Sequence, residues 1–285
     1  MIYLGATKIG RMFLGSTEIA KAYLGTDLVF QKGAQPQPGP DRPCLTFTST
    51  STNTLELTCN GTAAPVLYYS LDGTTWTLWD YSAIAFSKLY LYGSNTSGFN
   101  TSTADYAQFV IGGNGTVECS GSIATLINGT DTLETIPCTY CFHKLFYGCG
   151  KLTKGPALPS TTLKNYCYYQ MFQNCDLVEA PVLPATTLAQ RCYSNMFRAN
   201  RNLTTAPDLP ATTLVTQCYH YMFYGCTKLA YVKAMFTTTP STSYTSNWLN
   251  NVASSGTFVK NTSASWTTTG VSAVPTGWTI QTASS

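Results

Sequence analysis

Between Leu158 and Cys226 one pattern of apolar and polar positions is written three times: LPSTTLKNYCYYQMFQNC (158–175), LPATTLAQRCYSNMFRAN (183–200) and LPATTLVTQCYHYMFYGC (209–226). A shorter copy, IPCTYCFHKLFYGC (136–149), precedes them. Aligned on Cys141, Cys167, Cys192 and Cys218, the copies are spaced by 26, 25 and 26 residues, and Phe146, Phe172, Phe197 and Phe223 keep the same intervals. Within a copy, Leu163, Cys167, Met171 and Cys175 recur every fourth position with Phe172 alongside. That predicts a single apolar stripe on a short helix. The segments LVEAPVLP (177–184) and LTTAPDLP (203–210) are predicted extended, because their prolines forbid helix. A helical turn plus a strand in each unit is the pattern of a leucine-rich-repeat-like solenoid, in which stacked neighbours bury together what no unit buries alone.

The first thirty residues carry another repeat, of period ten: YLGAT at Tyr3, FLGST at Phe13 and YLGTD at Tyr23. Alternation between the glycines predicts a small antiparallel meander with Leu-Gly turns. Both of its faces bear apolar residues, so it is expected to dock on something or to pair with copies of itself. QKGAQPQPGPDRP (31–43) has four prolines and two glycines and reads as a semi-extended linker. Alternating runs such as CLTFTS, TLELTC, KLYLYG and YAQFVIGG then predict a β-sandwich-like domain, and the last segment, with Trp248, Trp266 and Trp278, reads as a terminal cap. The expected fold is therefore mainly β with short helices. Its segments are an N-terminal attachment or oligomerisation segment (1–33), a linker (34–43), a β-sandwich-like domain (44–130), a repeat solenoid (131–238) and a C-terminal cap (239–285).

Composition adds to this picture. Of 285 residues only 10% are charged while 13% are aromatic, as in strand-rich extracellular or virion proteins. The net charge of +3 hides opposed segments: residues 34–135 hold two basic and eight acidic side chains, and residues 136–235 hold nine basic and three acidic. The basic residues are scattered without a run, so no nucleic-acid partner is expected. The opening residues show no apolar run of signal-peptide length, and no later stretch is long enough to span a bilayer. With eleven cysteines, this points to assembly in a reducing compartment with free thiols, and to no membrane insertion. The Asn-x-Ser/Thr triplets, including those at Asn60 and Asn128, are the number expected by chance in so Ser/Thr-rich a chain.

The candidate chemistry is sparse. SLDGTTW (70–76) resembles the sialidase Asp-box but is one residue short of it, and it is read as a hairpin turn with Asp72-Gly73 at its tip. CTYC (138–141) has the spacing of a zinc half-site or redox pair, yet no second pair accompanies it. Cys141 is also in register with Cys167, Cys192 and Cys218, so a ladder of buried thiols is the preferred reading over metal, redox or disulfide roles. Asn200 stands where the other copies have Cys149, Cys175 and Cys226, which fits a ladder better than a staple. The only histidines, His143 and His220, are read as surface or stacked aromatic positions. No catalytic residue, cofactor or metal is expected. Tyr168, Tyr169, Tyr193, Tyr219 and Tyr221 adjoin the stripe, either as solvent-facing platforms for a glycan or protein or as covers for the seams between repeats. The candidate ligand surface is Tyr169, Tyr193, Tyr219 and Tyr221 with Arg191 and Arg198.

The pattern LPATTLxxxCYxxMFxxCxxLxxAPxLP resembles the BspA-like leucine-rich repeats of surface proteins of gut Bacteroidales and of their phages. LYYSLDGTTW (67–76) resembles the β domain that precedes such repeats, and WLNNVASSGTF with VPTGW resembles their ending. The YLGxT decamers resemble N-terminal attachment segments of virion proteins of gut phages, including crAss-like phages. The resemblance implies a non-enzymatic display module: a head fibre or similar appendage on the capsid surface of a virion, assembled in the bacterial host cytoplasm. It would attach to capsid or other virion proteins, or to sister chains in a homo-oligomer, through Tyr3, Leu4, Phe13, Leu14, Tyr23 and Leu24, and it would meet a host-surface glycan or protein. A tail-associated fibre, a bacterial surface adhesin and an enzyme acting on host polysaccharide are the alternative expectations.

Overall fold

The computed structural model describes residues 42–283 in full and, of the first 41 residues, the backbone of six short strands. The chain divides between Asp41 and Arg42 into two compact units. In the first unit β1 (Tyr3–Leu4) pairs with β2 (Thr7–Lys8), β3 (Phe13–Leu14) with β4 (Thr17–Glu18), and β5 (Lys21–Leu24) with β6 (Asp27–Gln31), all antiparallel. Leu4 pairs with Thr7 and Leu14 with Thr17, so the connections fall after each Leu, as the decamers predict. The expected continuous meander is instead three separate two-stranded ladders among the described residues. The side chains of Tyr3, Leu4, Phe13, Leu14, Tyr23 and Leu24 lie outside the described residues.

The second unit is mainly β. Its sheet is built around β7 (Leu45–Asn60), which pairs along one edge with β10 (Ile84–Gly93) and along the other with β11 (Tyr106–Gly113) and then β12 (Val117–Ser120). The pairs Gly113–Asn53 and Val117–Ser49 keep one register across the break between β11 and β12. The buried Asn53 side chain bridges that break: its Nδ2 donates to the Gly115 carbonyl at 2.9 Å and its Oδ1 accepts from the Gly115 N–H at 3.0 Å. Beyond β10 lie β8 (Leu67–Ser70) and β9 (Thr77–Leu78). Alternation buries Leu45, Phe47, Leu55 and Leu57 on one face of β7. Among the described residues no second sheet closes that face into the expected sandwich. The repeats cover it instead, with Phe47 and Phe109 meeting Phe146 at ring-centroid distances of 6.3 and 5.2 Å.

Parallel pairing carries the sheet into the repeats. β12 pairs with β13 (Leu152–Lys154), and single parallel bridges continue at Lys154–Glu179, Thr162–Thr187 and Thr205–Tyr231. A parallel ladder of β14 (Tyr231–Ala234), β15 (Thr257–Lys260) and β16 (Thr279–Thr282) finishes the unit. Among the described residues helix is confined to a 3-10 turn at Ile123–Leu126 and to α1, Thr242–Thr245. The segments expected as a β domain, a repeat array and a cap thus form one unit with a hydrophobic core that runs through all three, beside a small separate cluster of Tyr68, Trp76 and Tyr92.

The repeated stripe is not helical. Residues 140–149, 166–175, 191–200 and 217–226 form four rungs of consecutive turns with a period of four residues. In the first rung His143, Leu145, Tyr147 and Cys149 donate their N–H groups three residues back, whereas Phe142, Lys144, Phe146 and Gly148 donate to Cys167, Tyr169, Met171 and Gln173 of the next. Every fourth residue is left-handed: Tyr140, Lys144 and Gly148; Tyr166, Gln170 and Asn174; Arg191, Asn195 and Ala199; Gln217, Tyr221 and Gly225. A left-handed non-glycine costs on the order of 1–2 kcal/mol. All twelve of these residues donate their N–H to the next rung or cap, and the stack offsets the strain there.

Two inward columns run through the rungs. Phe146, Phe172, Phe197 and Phe223 stack at 5.3, 5.8 and 5.6 Å. Phe142, Tyr168, Tyr193, Tyr219 and Trp248 stack at 5.8, 5.8, 6.0 and 5.9 Å. Trp248 closes its column with its indole N–H donated to the Ala273 carbonyl at 2.8 Å. Cys141, Cys167, Cys192 and Cys218 lie fully buried beside the columns, and all eleven cysteines are free thiols. Burial pushes the Cys167 and Cys218 thiols up to about 12.

Candidate binding surface

Each four-residue turn sends two neighbouring side chains inward and two outward. The outward side chains line up from rung to rung into columns, as Tyr140 with Tyr166 and His143 with Tyr169 do. On this outward face Tyr166 stacks on Tyr140 at 4.6 Å, Tyr169 meets Tyr166 edge-on at 5.8 Å, and the Arg191 guanidinium lies 5.6 Å from the Tyr166 ring centre. Arg191 Nε also donates to Gln217 Oε1. One step along, the Arg198 guanidinium lies 4.9 Å from the Tyr224 ring centre and 5.5 Å from that of Tyr221, and its Nη1 donates to Asn195 Oδ1 at 3.3 Å. Asn247 Nδ2 donates to the Tyr221 hydroxyl at 3.2 Å.

Four of the six candidate ligand residues, Tyr169, Tyr221, Arg191 and Arg198, are on this face and partly exposed. Tyr193 and Tyr219 are not: they are 2% and 1% exposed, inside the inward column. The reason is the four-residue period. The residue after each column cysteine points in with it, whereas a helix would have turned it about 100° away. Arg201, Gln173, Asn174 and Tyr224, which the sequence reading did not single out, do stand on the outward side. For Gln173, Asn174 and Tyr224 the signal is the left-handed Asn or Gly at the end of the rung, Asn174 and Gly225, whereas Arg201 follows Ala199 and has no such mark.

His143 is 1% exposed, covered by the rings of Tyr106, Tyr140 and Tyr169 at 5.2, 5.9 and 5.3 Å. Burial, reinforced by the neighbouring Lys144 charge, pushes its pKa down to about 4, so the ring is neutral at pH 7. Neither ring nitrogen has a hydrogen bond of ordinary geometry, although the Ser102 backbone and the Gln170 side chain adjoin the ring. It is a packing group. His220 is less buried, and burial with the charges of Arg191 and Arg198 lowers its pKa as well.

Asp72 holds a turn. Its Oδ1 accepts from the Thr74 and Thr75 N–H groups, both at 2.7 Å, and from the Ser70 hydroxyl at 2.9 Å. These bonds keep its carboxyl well below the usual carboxylate range. Cys138 is half-buried and Cys141 buried, and no group of three metal-binding side chains gathers among the described residues. No helix among those residues is long and apolar enough to cross a membrane.

Among the described residues, cavities open on the surface in two places of note. One of about 370 Å³ lies between residues 62–66 and 94–105; its only carboxylate, Asp105, accepts from the Thr62 N–H at 2.7 Å and the Thr62 hydroxyl at 3.0 Å. The other, of about 600 Å³, lies at the outer end of the rungs between Gln173 and Val252 and holds both Arg198 and Arg201. Compared with known proteins, the chain matches no family model, no curated protein and no solved structure.

Proposed function

We propose that this protein is a structural component of a bacteriophage virion, a head fibre or similar appendage, and not an enzyme. Residues 1–41 attach it to the capsid or another virion protein, or to sister chains in a homo-oligomer, and the second unit carries a β domain and, over residues 131–238, a BspA-like leucine-rich-repeat solenoid that displays its outward face to a host-surface glycan or protein. The observation that carries this reading is the division of the chain at Asp41–Arg42. On one side are two-stranded hairpins too small to be stable alone, on the other a unit with its own continuous core, and the proline-rich segment joins them. Repeats that satisfy one another's backbones suit a display surface, because polar and aromatic side chains vary on the outward face without disturbing the ladder.

The test is deletion of residues 1–41. The shortened chain is expected to fold and to be missing from assembled particles; unchanged incorporation overturns the reading. Quantitative mass spectrometry of purified virions against host envelope fractions separates it from a bacterial surface adhesin.

A further inference from the structure

We propose that the cleft at the outer end of the rungs binds a carboxylate-bearing saccharide, an inference that rests on reading the second unit as a display module. The cleft exists because of one column. At the last left-handed position of successive rungs and the cap stand Asn174, Ala199, Gly225 and Asn251. A Cβ on Gly225 would stand 3.8 Å from the Ala199 Cα, so the two central members are small and closely stacked, and they leave a gap between the two asparagines. The gap measures about 600 Å³.

Its charge is one-sided, since the lining includes Arg198 and Arg201 and no carboxylate. The exposed Arg201 has no ion pair among the described residues, where the pairs are Lys154–Glu179 and Lys233–Asp208. The Arg198 guanidinium lies 4.9 Å from the Tyr224 ring centre and 5.5 Å from that of Tyr221, cation–π contacts that hold it at the cleft. Asn195 takes one of its five donors. A guanidinium matches a carboxylate through bidentate, charge-assisted hydrogen bonds, and two guanidinium side chains line this one cleft.

The remainder of the lining selects among anions. Asn174, Asn251 and Thr227 offer neutral donors and acceptors of the kind that match sugar hydroxyls, whereas the buried Gln173 already accepts from Gln170 Nε2 at 2.9 Å. The backbone N–H groups of Asn174, Ala199 and Gly225 are committed to the Arg198, Tyr224 and Asn250 carbonyls, so an acidic peptide cannot add here as a strand. The arrangement fits a hydroxyl-rich ligand with one acidic group.

Trigalacturonic acid and sialyllactose titrated calorimetrically into the full chain are the probes, with the methyl ester of the first as its neutral counterpart. At least one acid is expected to bind, the ester at least tenfold more weakly, and binding to weaken as salt rises. Arg201→Gln, at an exposed residue without an internal partner, is expected to lose at least tenfold in affinity while melting like the parent, and Arg198→Gln with Arg201→Gln to abolish binding. Equal affinity for acid and ester, unchanged affinity in Arg201→Gln, or no binding of either acid overturns the proposal. Particles assembled with the double variant report on the display reading separately, because incorporation depends there on residues 1–41 and not on the cleft.

Discussion

In the sheet, β7 alone offers sixteen residues of ladder, paired with β10 along one edge and with β11 and β12 along the other. In the stack each rung keeps every second N–H for itself and gives the alternate ones to its neighbour. A strand in the sheet is supported along its length by two long partners, whereas a rung is incomplete until the next is in place. Both regions are periodic with a whole number, two in the sheet and four in the stack, so a column of like side chains builds up without drift. They differ in what a lost side chain should do: a cavity in the sheet is bounded by long ladders, and a cavity in the stack removes the support on which the adjacent rungs depend.

The largest expected effect tests that difference. Phe197→Ala should cost about 3–5 kcal/mol, because the ring is fully buried between Phe172 and Phe223. Hydrogen exchange should show the loss of protection at the amides of Phe172, Asn174 and Ala199 first and falling off toward β7. Equal loss at the β7–β10 amides would mean that the shared core, and not the inter-rung bonding, sets cooperativity.

The next effect is confined to the stack, which holds both histidines. His143 has a folded pKa of about 4 against an ordinary 6.5, so the unfolded chain binds the extra proton between those values. Its contribution is complete above pH 6.5, declines as pH falls, and is gone below about 4, on the order of 3 kcal/mol in all. His220 adds to the same slope in the same direction. Urea midpoints at pH 7.5 and 4.5 should therefore differ more for the parent than for His143→Phe, while the aspartates, with an ordinary value of 3.8, change little over that window. A slope unaltered by the substitution would place the pH sensitivity elsewhere.

The smallest effect explains the irregular Asn200. Cys149, Cys175 and Cys226 each donate a thiol hydrogen bond to a phenylalanine carbonyl, of Phe109, Phe146 and Phe197. Asn200 Nδ2 makes the matching bond to the Phe172 carbonyl at 2.7 Å, and its Oδ1 accepts from the Leu177 N–H at 3.1 Å. Asn200→Ala should cost about 1–3 kcal/mol by leaving buried groups unpaired, and Asn200→Cys clearly less. Thermal melts giving the two variants the same stability would show that the position needs only small volume.

This series also brings the sheet into the stack, since Phe109 on β11 takes the place of the phenylalanine one rung before Phe146. Its N–H donates to the Leu145 carbonyl at 2.8 Å, and it accepts the Cys149 thiol as later phenylalanines accept theirs. Nothing in YAQFVIGG identifies it as a rung, because its own strand pattern is satisfied by β7.

Much was legible in the residues alone: the copies and their spacing, which cysteines and phenylalanines are equivalent, the buried thiol column, the extended proline segments and the tryptophan-bearing end. Two of the six surface candidates were misplaced, and the cause is physical. Positions i, i+4, i+8 and i+12 read as a helical stripe, yet on an α-helix that set drifts by roughly 120°. Four residues per turn removes the drift but puts Tyr140, Lys144, Gln170 and Arg191 into left-handed backbone that no local propensity favours. Only the stacked neighbour, accepting an N–H from each of them, makes that conformation worthwhile. The tertiary structure therefore decided the backbone of the rung, and with it that Tyr193 and Tyr219 turn inward while Arg198, Arg201 and Tyr224 face the cleft.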